Sequence, residues 1–381
     1  MGRPLNRSLA LAVAAALALS GCVATDVART PTGVGTSQPS PPSSEPPEPE
    51  APLGAVSPTG ELEVLVTGLR TPWSIAPLPT GSTLMSERDT GRVLELMPDG
   101  DLRVVATVPG IVPGGEGGLL GIAARDTGTP YLYAYFTAAN DNRIVRMPLT
   151  GAPGTYGLGG VEVLLAGIPK ARTHNGGRLA FGPDGMLYAT TGDAQQTERS
   201  QDRSSLAGKI LRLTPDGDVP ADNPFPGSYV YSLGHRNPQG LVFDRSGQLW
   251  AAEFGQTTWD ELNRIEPGEN YGWPIVEGIG GRSGYVDPVQ QWPPREASPS
   301  GLGIVGDTLF LAALRGQRLW VIDIDNPGTG TAFFVSELGR IRDAVGVGDD
   351  RLLLVTSNTD ANGRPGADDD RLIAVWLAPR G

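Results

Sequence analysis

The stretch Arg178-Leu-Ala-Phe-Gly-Pro-Asp-Gly-Met-Leu187 holds a short apolar segment, a turn at Pro183-Asp-Gly185, and a leucine that opens a second apolar segment. Lys209-Ile-Leu-Arg-Leu213 follows as a third. Proline presets one backbone angle and glycine tolerates the left-handed region, so Pro-Asp-Gly reverses the chain. The flanking segments then read as antiparallel strands. The same figure recurs along the chain, with turns such as Pro79-Thr-Gly81, Asp244-Arg-Ser-Gly247 and Gly348-Asp-Asp350. Each is followed by a strand with a leucine near its start: Leu84, Leu132, Leu187, Leu249, Leu309 and Leu352. These six leucines lie roughly 40 to 60 residues apart, an irregular all-β repeat that fits propeller blades. The fold expected is therefore an all-β, six-bladed β-propeller of four-stranded antiparallel blades; seven blades is the alternative. Leu62-Glu-Val-Leu-Val66 has no repeat of its own and is expected to close the ring beside Leu372-Ile-Ala-Val-Trp376.

The composition agrees. Among 381 residues, 53 Gly and 35 Pro with 39 % hydrophobic content favour a turn-rich β fold over a helical one. A formal charge of -12 excludes a surface for nucleic acid or anionic lipid, which would be repelled, and suits a cation. Lys170 and Lys209 are the only lysines. The remaining basic side chains are guanidinium groups, whose planar forks match carboxylates.

The ends of the ring call for other physics. Arg3 and Arg7 precede a short apolar run from Leu9 to Ala18 and then Leu19-Ser-Gly-Cys22. The run is well short of the ~20 residues that span a bilayer, so residues 1–21 read as a signal peptide. Leu-Ser-Gly-Cys resembles the bacterial lipobox, which makes Cys22, the only cysteine, the expected lipidation site. A plain secretory signal with an incidental cysteine is the competing reading. Residues 22–60 are rich in Pro, Ser and Thr and cannot bury apolar area, so they are expected to be a disordered linker. Residues 61–381 form the propeller. The chain is thus expected to be exported and held at the outer face of the membrane only through its lipid anchor.

Repeat register also locates a working face. In an antiparallel hairpin the first strand begins, and the second ends, at the same edge. His174 and Arg236 each lie thirteen residues before a marker leucine, while Asp193, Gly255 and Arg315 each lie six after one. All five should converge on one face around the axis. His174, in Thr173-His-Asn-Gly-Gly-Arg178, could act as a general base near neutral pH; a histidine bonded to loop backbone is the other reading. In Gly234-His-Arg-Asn237, strand alternation sets Arg236 and Asn237 toward the site and leaves His235 structural. Arg340-Ile-Arg342 places two cations together, which with Arg315 suit a ligand bearing several carboxylates, or else form a hydrated rim. Asp260-Glu261 is a candidate oxygen-rich cation site, and Asp368-Asp-Asp370 reads as a solvated loop. No zinc spacing, phosphate loop or nucleophile elbow is present.

Four motifs in order carry a family resemblance. They are Gly115-Glu-Gly-Gly-Leu-Leu-Gly-Ile-Ala123, His174-Asn-Gly-Gly-Arg-Leu-Ala-Phe-Gly-Pro-Asp-Gly185, Gly234-His-Arg-Asn-Pro-Gln-Gly240 and Asp260-Glu-Leu-Asn-Arg-Ile-Glu-Pro-Gly-Glu-Asn-Tyr-Gly-Trp-Pro274. From about Leu69 onward the chain resembles the soluble glucose/sorbosone dehydrogenases, or aldose sugar dehydrogenases, which use pyrroloquinoline quinone (PQQ) in a six-bladed propeller. The resemblance implies oxidation of an aldose at C1 to the lactone, with electrons passed to an external acceptor. It implies that His174 is the base, that Asp193 orients it and that Arg236 stabilises charge on the quinone. Asn237, Arg315, Arg340 and Arg342 match cofactor contacts. Gly255 and Gln256 match the pair whose carbonyls bind a calcium ion, and Asp260, Glu261 and Tyr271 match ligands of a second calcium. Glu116 stands where some members carry Gln, adding an acid beside the cofactor, and Gln256 stands where they carry Pro. Short loops after Gly278 imply an open cleft, with Trp292 as part of its wall. A non-catalytic propeller lipoprotein that binds a glycan or protein partner is the alternative function, and a calcium-dependent lactonase a third.

Overall fold

A computed structural model describes residues 54–125 and 130–380. The expected signal peptide, Cys22 and nearly all of the expected linker lie outside the described residues. Six antiparallel sheets follow one another, each built on four strands; in the second a short fifth, Gly157–Leu158, pairs with Asn142–Thr150. The third is typical: Leu179–Phe181, Leu187–Thr191, Lys209–Leu213 and Val230–Leu233, paired in chain order. In the last blade, Ile341–Val347, Arg351–Thr356 and Leu372–Pro379 are completed by the N-terminal strand Val56–Val66, which pairs antiparallel with Leu372–Pro379. The ring therefore closes with the first strand supplying the outermost position of the last blade. Among the described residues no helix is long and apolar enough to cross a membrane.

All six marker leucines sit at the start of the second strand of a blade, and none is more than 2 % exposed. Second strands carry near-continuous apolar runs such as Thr308–Ala313, buried at every position. That pattern follows from a sheet covered on both faces by its neighbours. The first strands line the axis, where there is little room. A Cβ on Gly303 would come within 2.4 Å of the Ala344 carbonyl oxygen of the next blade, and one on Gly121 within 2.2 Å of the Gly177 oxygen. Glycine at these points lets inner strands approach in a way no other residue permits.

A polar clasp spans the axis. Arg178 Nη1 lies 2.8 Å from Asp343 Oδ2 and 3.2 Å from Ser74 Oγ, and Arg178 Nε donates to the Gln239 carbonyl at 2.8 Å. Asp343 also accepts the Ile75 amide at 2.9 Å. First, third, fourth and last blades are thereby joined through one buried ion pair.

Two expectations need correction. The closing strand begins at Val56 rather than near residue 61, because Val56 is 1 % exposed in the core and its amide donates to Thr308 Oγ1 at 2.9 Å. Pro58-Thr-Gly60 looked like linker composition, yet Pro58 pairs opposite Leu377 and Gly60 takes the left-handed backbone of an irregularity in the ladder. The acidic run is a solvated loop only in part: Asp368 is exposed and Asp369 half-buried, but Asp370 is not. Asp370 has no exposed surface, and its carboxylate accepts the Asn358 amide and the hydroxyls of Thr356 and Thr359.

Candidate functional site

The third blade supplies a histidine–carboxylate pair. His174 precedes the blade's first strand and Asp193 follows its second, so the hairpin brings them together at one edge. His174 Nδ1 lies 2.8 Å from Asp193 Oδ1. Asp193 is wholly buried, and its other oxygen accepts the Trp273 indole N–H at 2.9 Å. A carboxylate at Nδ1 fixes the proton there and leaves Nε2 as the basic nitrogen. The His174 backbone has φ 60°, an unusual value for a non-glycine residue, and its amide donates to Glu116 Oε2 at 2.8 Å. Gly192 makes room for this bend, since a Cβ there would meet the His174 carbonyl oxygen at 2.0 Å.

The next blade brings Arg236 alongside. Its carbonyl accepts the Asp193 amide at 2.8 Å, its guanidinium lies over the Trp273 ring at 5.4 Å, and Nη1 reaches the Phe254 carbonyl at 3.3 Å. Nε is buried without a partner, and burial pulls the Arg236 pKa below its ordinary value. Asn237 is buried with its side-chain oxygen on the Gly176 amide at 3.0 Å, where it braces the loop carrying His174. His235 is structural: it has no exposed surface and bridges Glu253 and Ser232, each at 2.8 Å.

Beside this group opens a cavity of about 630 Å³ lined by Arg88, Glu116, Arg315, Arg340, Arg342 and Asp360, among others. His174 and Arg236 flank it: their neighbours in chain or contact, Thr173 and Phe254, form part of the wall. Arg340 Nη2 bonds Asp360 at 2.8 Å, and Arg342 Nη2 lies 3.3 Å from the same oxygen. Burial opposes the Asp360 charge, but Arg342 and Arg340 outweigh it and hold the pKa below the ordinary aspartate range. Arg342 is 5 % exposed, burial pushes its pKa down to about 10, and its Nε has no partner. Arg315 is exposed on the wall and has no ion pair or hydrogen bond among the described residues. Unpaired buried guanidinium nitrogens are costly unless an acceptor joins them, so the donor set fits an anion with several carboxylates.

Sequence reasoning missed Arg88 and Asp360. Both follow the second strand of a blade, Thr83–Glu87 and Arg351–Thr356, as Asp193 does, but Arg88 lies four residues after its marker leucine and Asp360 eight, so a count of six passes both by. Trp292 is corrected: it is 3 % exposed, packs beside Trp320 at 5.6 Å, and is not among the residues that line this cavity.

Residues 255–259 form an adjoining loop. Gly255 N donates to Asp260 Oδ1 at 2.9 Å, while the amides of Gln256, Thr257, Thr258 and Trp259 all donate to Glu277 Oε1, at 2.7, 3.1, 3.1 and 3.2 Å. Burial would raise the Glu277 pKa, but these four bonds outweigh it and hold it low. Among the described residues no hydrogen bond is directed at the Gly255 or Gln256 carbonyls. Two free peptide oxygens suit a hard cation such as calcium.

The other expected metal residues are arranged differently. Asp260 accepts amides on both oxygens, from Gly255 and from Ser298 at 2.6 Å. Glu261 points to the opposite side of its strand, where it accepts Gly278 N at 2.7 Å and Asn263 Nδ2 at 3.1 Å. Burial, with the nearby Glu253 adding to it, pushes the Glu261 pKa well above the ordinary glutamate range. The Tyr271 hydroxyl donates to the Arg264 carbonyl at 2.7 Å and accepts the Glu266 amide at 2.8 Å. These three side chains thus engage different partners, and among the described residues no group of three or more His, Cys, Asp or Glu is placed to hold a metal ion.

Comparison with known proteins places this arrangement among relatives. The chain matches the family described as Glucose / Sorbosone dehydrogenase over residues 69–364. It is 49 % identical to the PQQ-bound aldose sugar dehydrogenase of Streptomyces coelicolor, with a TM-score of 0.81 over 86 % of this chain and 100 % of that one. It is 36 % identical over 259 residues to quinoprotein glucose dehydrogenase B of Acinetobacter calcoaceticus, covering 59 % of this chain and 54 % of that protein, about half its length. An uncharacterized protein of Synechocystis is 34 % identical over 377 residues, covering 85 % of this chain and 89 % of its own. With six blades, a histidine–aspartate pair at one rim and an arginine-lined cavity beside it, the chain belongs to the glucose/sorbosone dehydrogenase family.

Proposed function

We propose that this protein is an aldose dehydrogenase that uses PQQ and calcium, oxidising a sugar at C1 to the lactone and passing electrons to an external acceptor. The observation that carries the reading is the His174–Asp193 pair beside a cavity lined by Arg88, Arg315, Arg340 and Arg342, where the Arg342 Nε is buried and unpaired. When bound, the quinone would supply a hydride acceptor and calcium a Lewis acid. The remaining work belongs to the chain. His174 Nε2 takes the proton of the C1 hydroxyl, and Asp193 holds the ring in the required tautomer and stabilises the imidazolium that forms. Arg236, desolvated beside the pair, presents a cation where negative charge would develop. Arg315, Arg340 and Arg342 hold carboxylates, with Asp360 keeping two of them aimed into the cavity. The carbonyls of Gly255 and Gln256 hold calcium. The sugar loses a hydride from C1 and a proton from its hydroxyl, and the external acceptor removes the two electrons.

Arg3, Arg7, the apolar run and Leu19-Ser-Gly-Cys22 support export, with a lipid on Cys22. The activity is tested by supplying the purified protein with the quinone and calcium and measuring dye reduction over a panel of aldoses. Turnover with lactone formation is expected. Absence of turnover with every sugar overturns the reading, and lactone hydrolysis without an electron acceptor would point to a lactonase instead.

A further inference from the structure

We infer that Glu277 is a positioning residue that turns the carbonyls of Gly255 and Gln256 outward as ligands for a divalent cation. This role rests on the proposed calcium reading of those two oxygens and follows from the geometry of the peptide plane. In a trans peptide the N–H of one residue and the C=O of the residue before it point in opposite directions. The Gln256 and Thr257 amides both point at Glu277 Oε1, at 2.7 and 3.1 Å. The carbonyls that share those planes belong to Gly255 and Gln256, so both face away from Glu277. Two further amides, from Thr258 and Trp259, converge on the same oxygen and complete a ring of donors around one carboxylate.

The loop cannot hold this shape unaided. It is a run of bends between two strands, and proline, which would stiffen it, is absent from residues 255–259. A Cβ on Gly255 would lie 1.6 Å from the Trp259 carbonyl oxygen and 2.8 Å from Glu277 Oε1, so the loop is folded tightly against its anchor. Glu277 is itself fixed. The Ile275 and Val276 amides bond the Gly272 carbonyl at 2.7 and 2.9 Å, and Gly278 N bonds Glu261 Oε1 at 2.7 Å. The same segment carries Trp273, whose indole holds Asp193. One short stretch, Trp273 to Gly278, thereby sets both the carboxylate behind His174 and the loop that offers the carbonyls.

The test is calcium binding by the full chain without quinone, measured by isothermal titration calorimetry. Glu277→Ala should weaken binding at least tenfold. Glu277→Gln keeps an acceptor oxygen without its charge and should stay within about threefold of wild type. Hydrogen exchange at the amides of residues 256–259 should speed up in the Ala variant and change little in the Gln variant. Equal affinity in Glu277→Ala and wild type overturns the inference while leaving the calcium reading intact. Equal losses in the Ala and Gln variants overturn it in favour of simple charge attraction. No calcium binding by wild type overturns the calcium reading, and the inference falls with it. Should the Ala variant fail to fold, a tenfold or larger loss in Glu277→Gln overturns the inference and affinity within threefold of wild type supports it.

Discussion

Asp193 has no exposed surface, and its oxygens are filled by His174, the Gln195 amide and the Trp273 indole. An amide in its place would still fill the space but could present an N–H to Nδ1 and favour the wrong tautomer. Asp193→Asn should therefore lower kcat by about 10²–10⁴-fold with little change in quinone affinity, as measured by dye reduction and quinone titration. Lys209 is a second residue whose chemistry shows only in three dimensions. It has no exposed surface, and Nζ donates to the carbonyls of Arg199, Ser200 and Ala207 at 2.8, 3.0 and 2.6 Å. It thus ties down the turn that follows Asp193. Lys209→Met would strand three carbonyls and should cost about 3 kcal/mol in urea unfolding. Burial pushes the Lys209 pKa down to about 7, against about 10.4 in an unfolded chain. Between those values the unfolded state binds more protons, so this group's contribution makes stability rise with pH. That slope should vanish in Lys209→Met.

At the scale of the element, hairpin register explains what the sequence made legible and what it hid. Leucine markers and Gly/Pro/Asp turns located all six second strands because those positions are buried on both faces and tolerate little else. The rim positions of His174, Asp193, Arg236, Gly255 and Arg315 followed from the same counting. Glu277 was invisible because its role depends on amides eighteen to twenty-one residues earlier in the chain, and amides carry no sequence signal. The role of Asp370 was hidden for a related reason: an acidic run reads as solvated until its acceptors are seen to be filled by buried amides and hydroxyls. The closing strand was found, but its first residues were not, since Ser57-Pro-Thr-Gly60 has linker composition. Deleting residues 1–66 should leave Leu372–Pro379 as an open edge and expose Ile373, Val375 and Leu377, all buried in the intact ring. A lower urea midpoint and higher oligomers in size-exclusion chromatography are expected; an unchanged monomer of unchanged stability would show that ring closure does not hold the fold.

Over the whole molecule, an acidic chain of net charge -12 surrounds a cavity walled by arginines. The buried Arg178–Asp343 pair ties four of the six blades across the axis, so the rim that carries His174, Arg236, Arg340 and Arg342 is set by the ring as a unit. Such a frame places a base and a set of cations on separate blades yet within one site. The most direct measurement of this account is stopped-flow absorbance of the quinone-loaded, calcium-bound protein mixed with an aldose in the absence of any electron acceptor. Rapid reduction of the bound quinone is expected in wild type, and a rate at least a hundredfold lower in His174→Gln, which still binds the quinone. A bound quinone that stays oxidised in wild type with every aldose tried, or one reduced equally fast in His174→Gln, would contradict it.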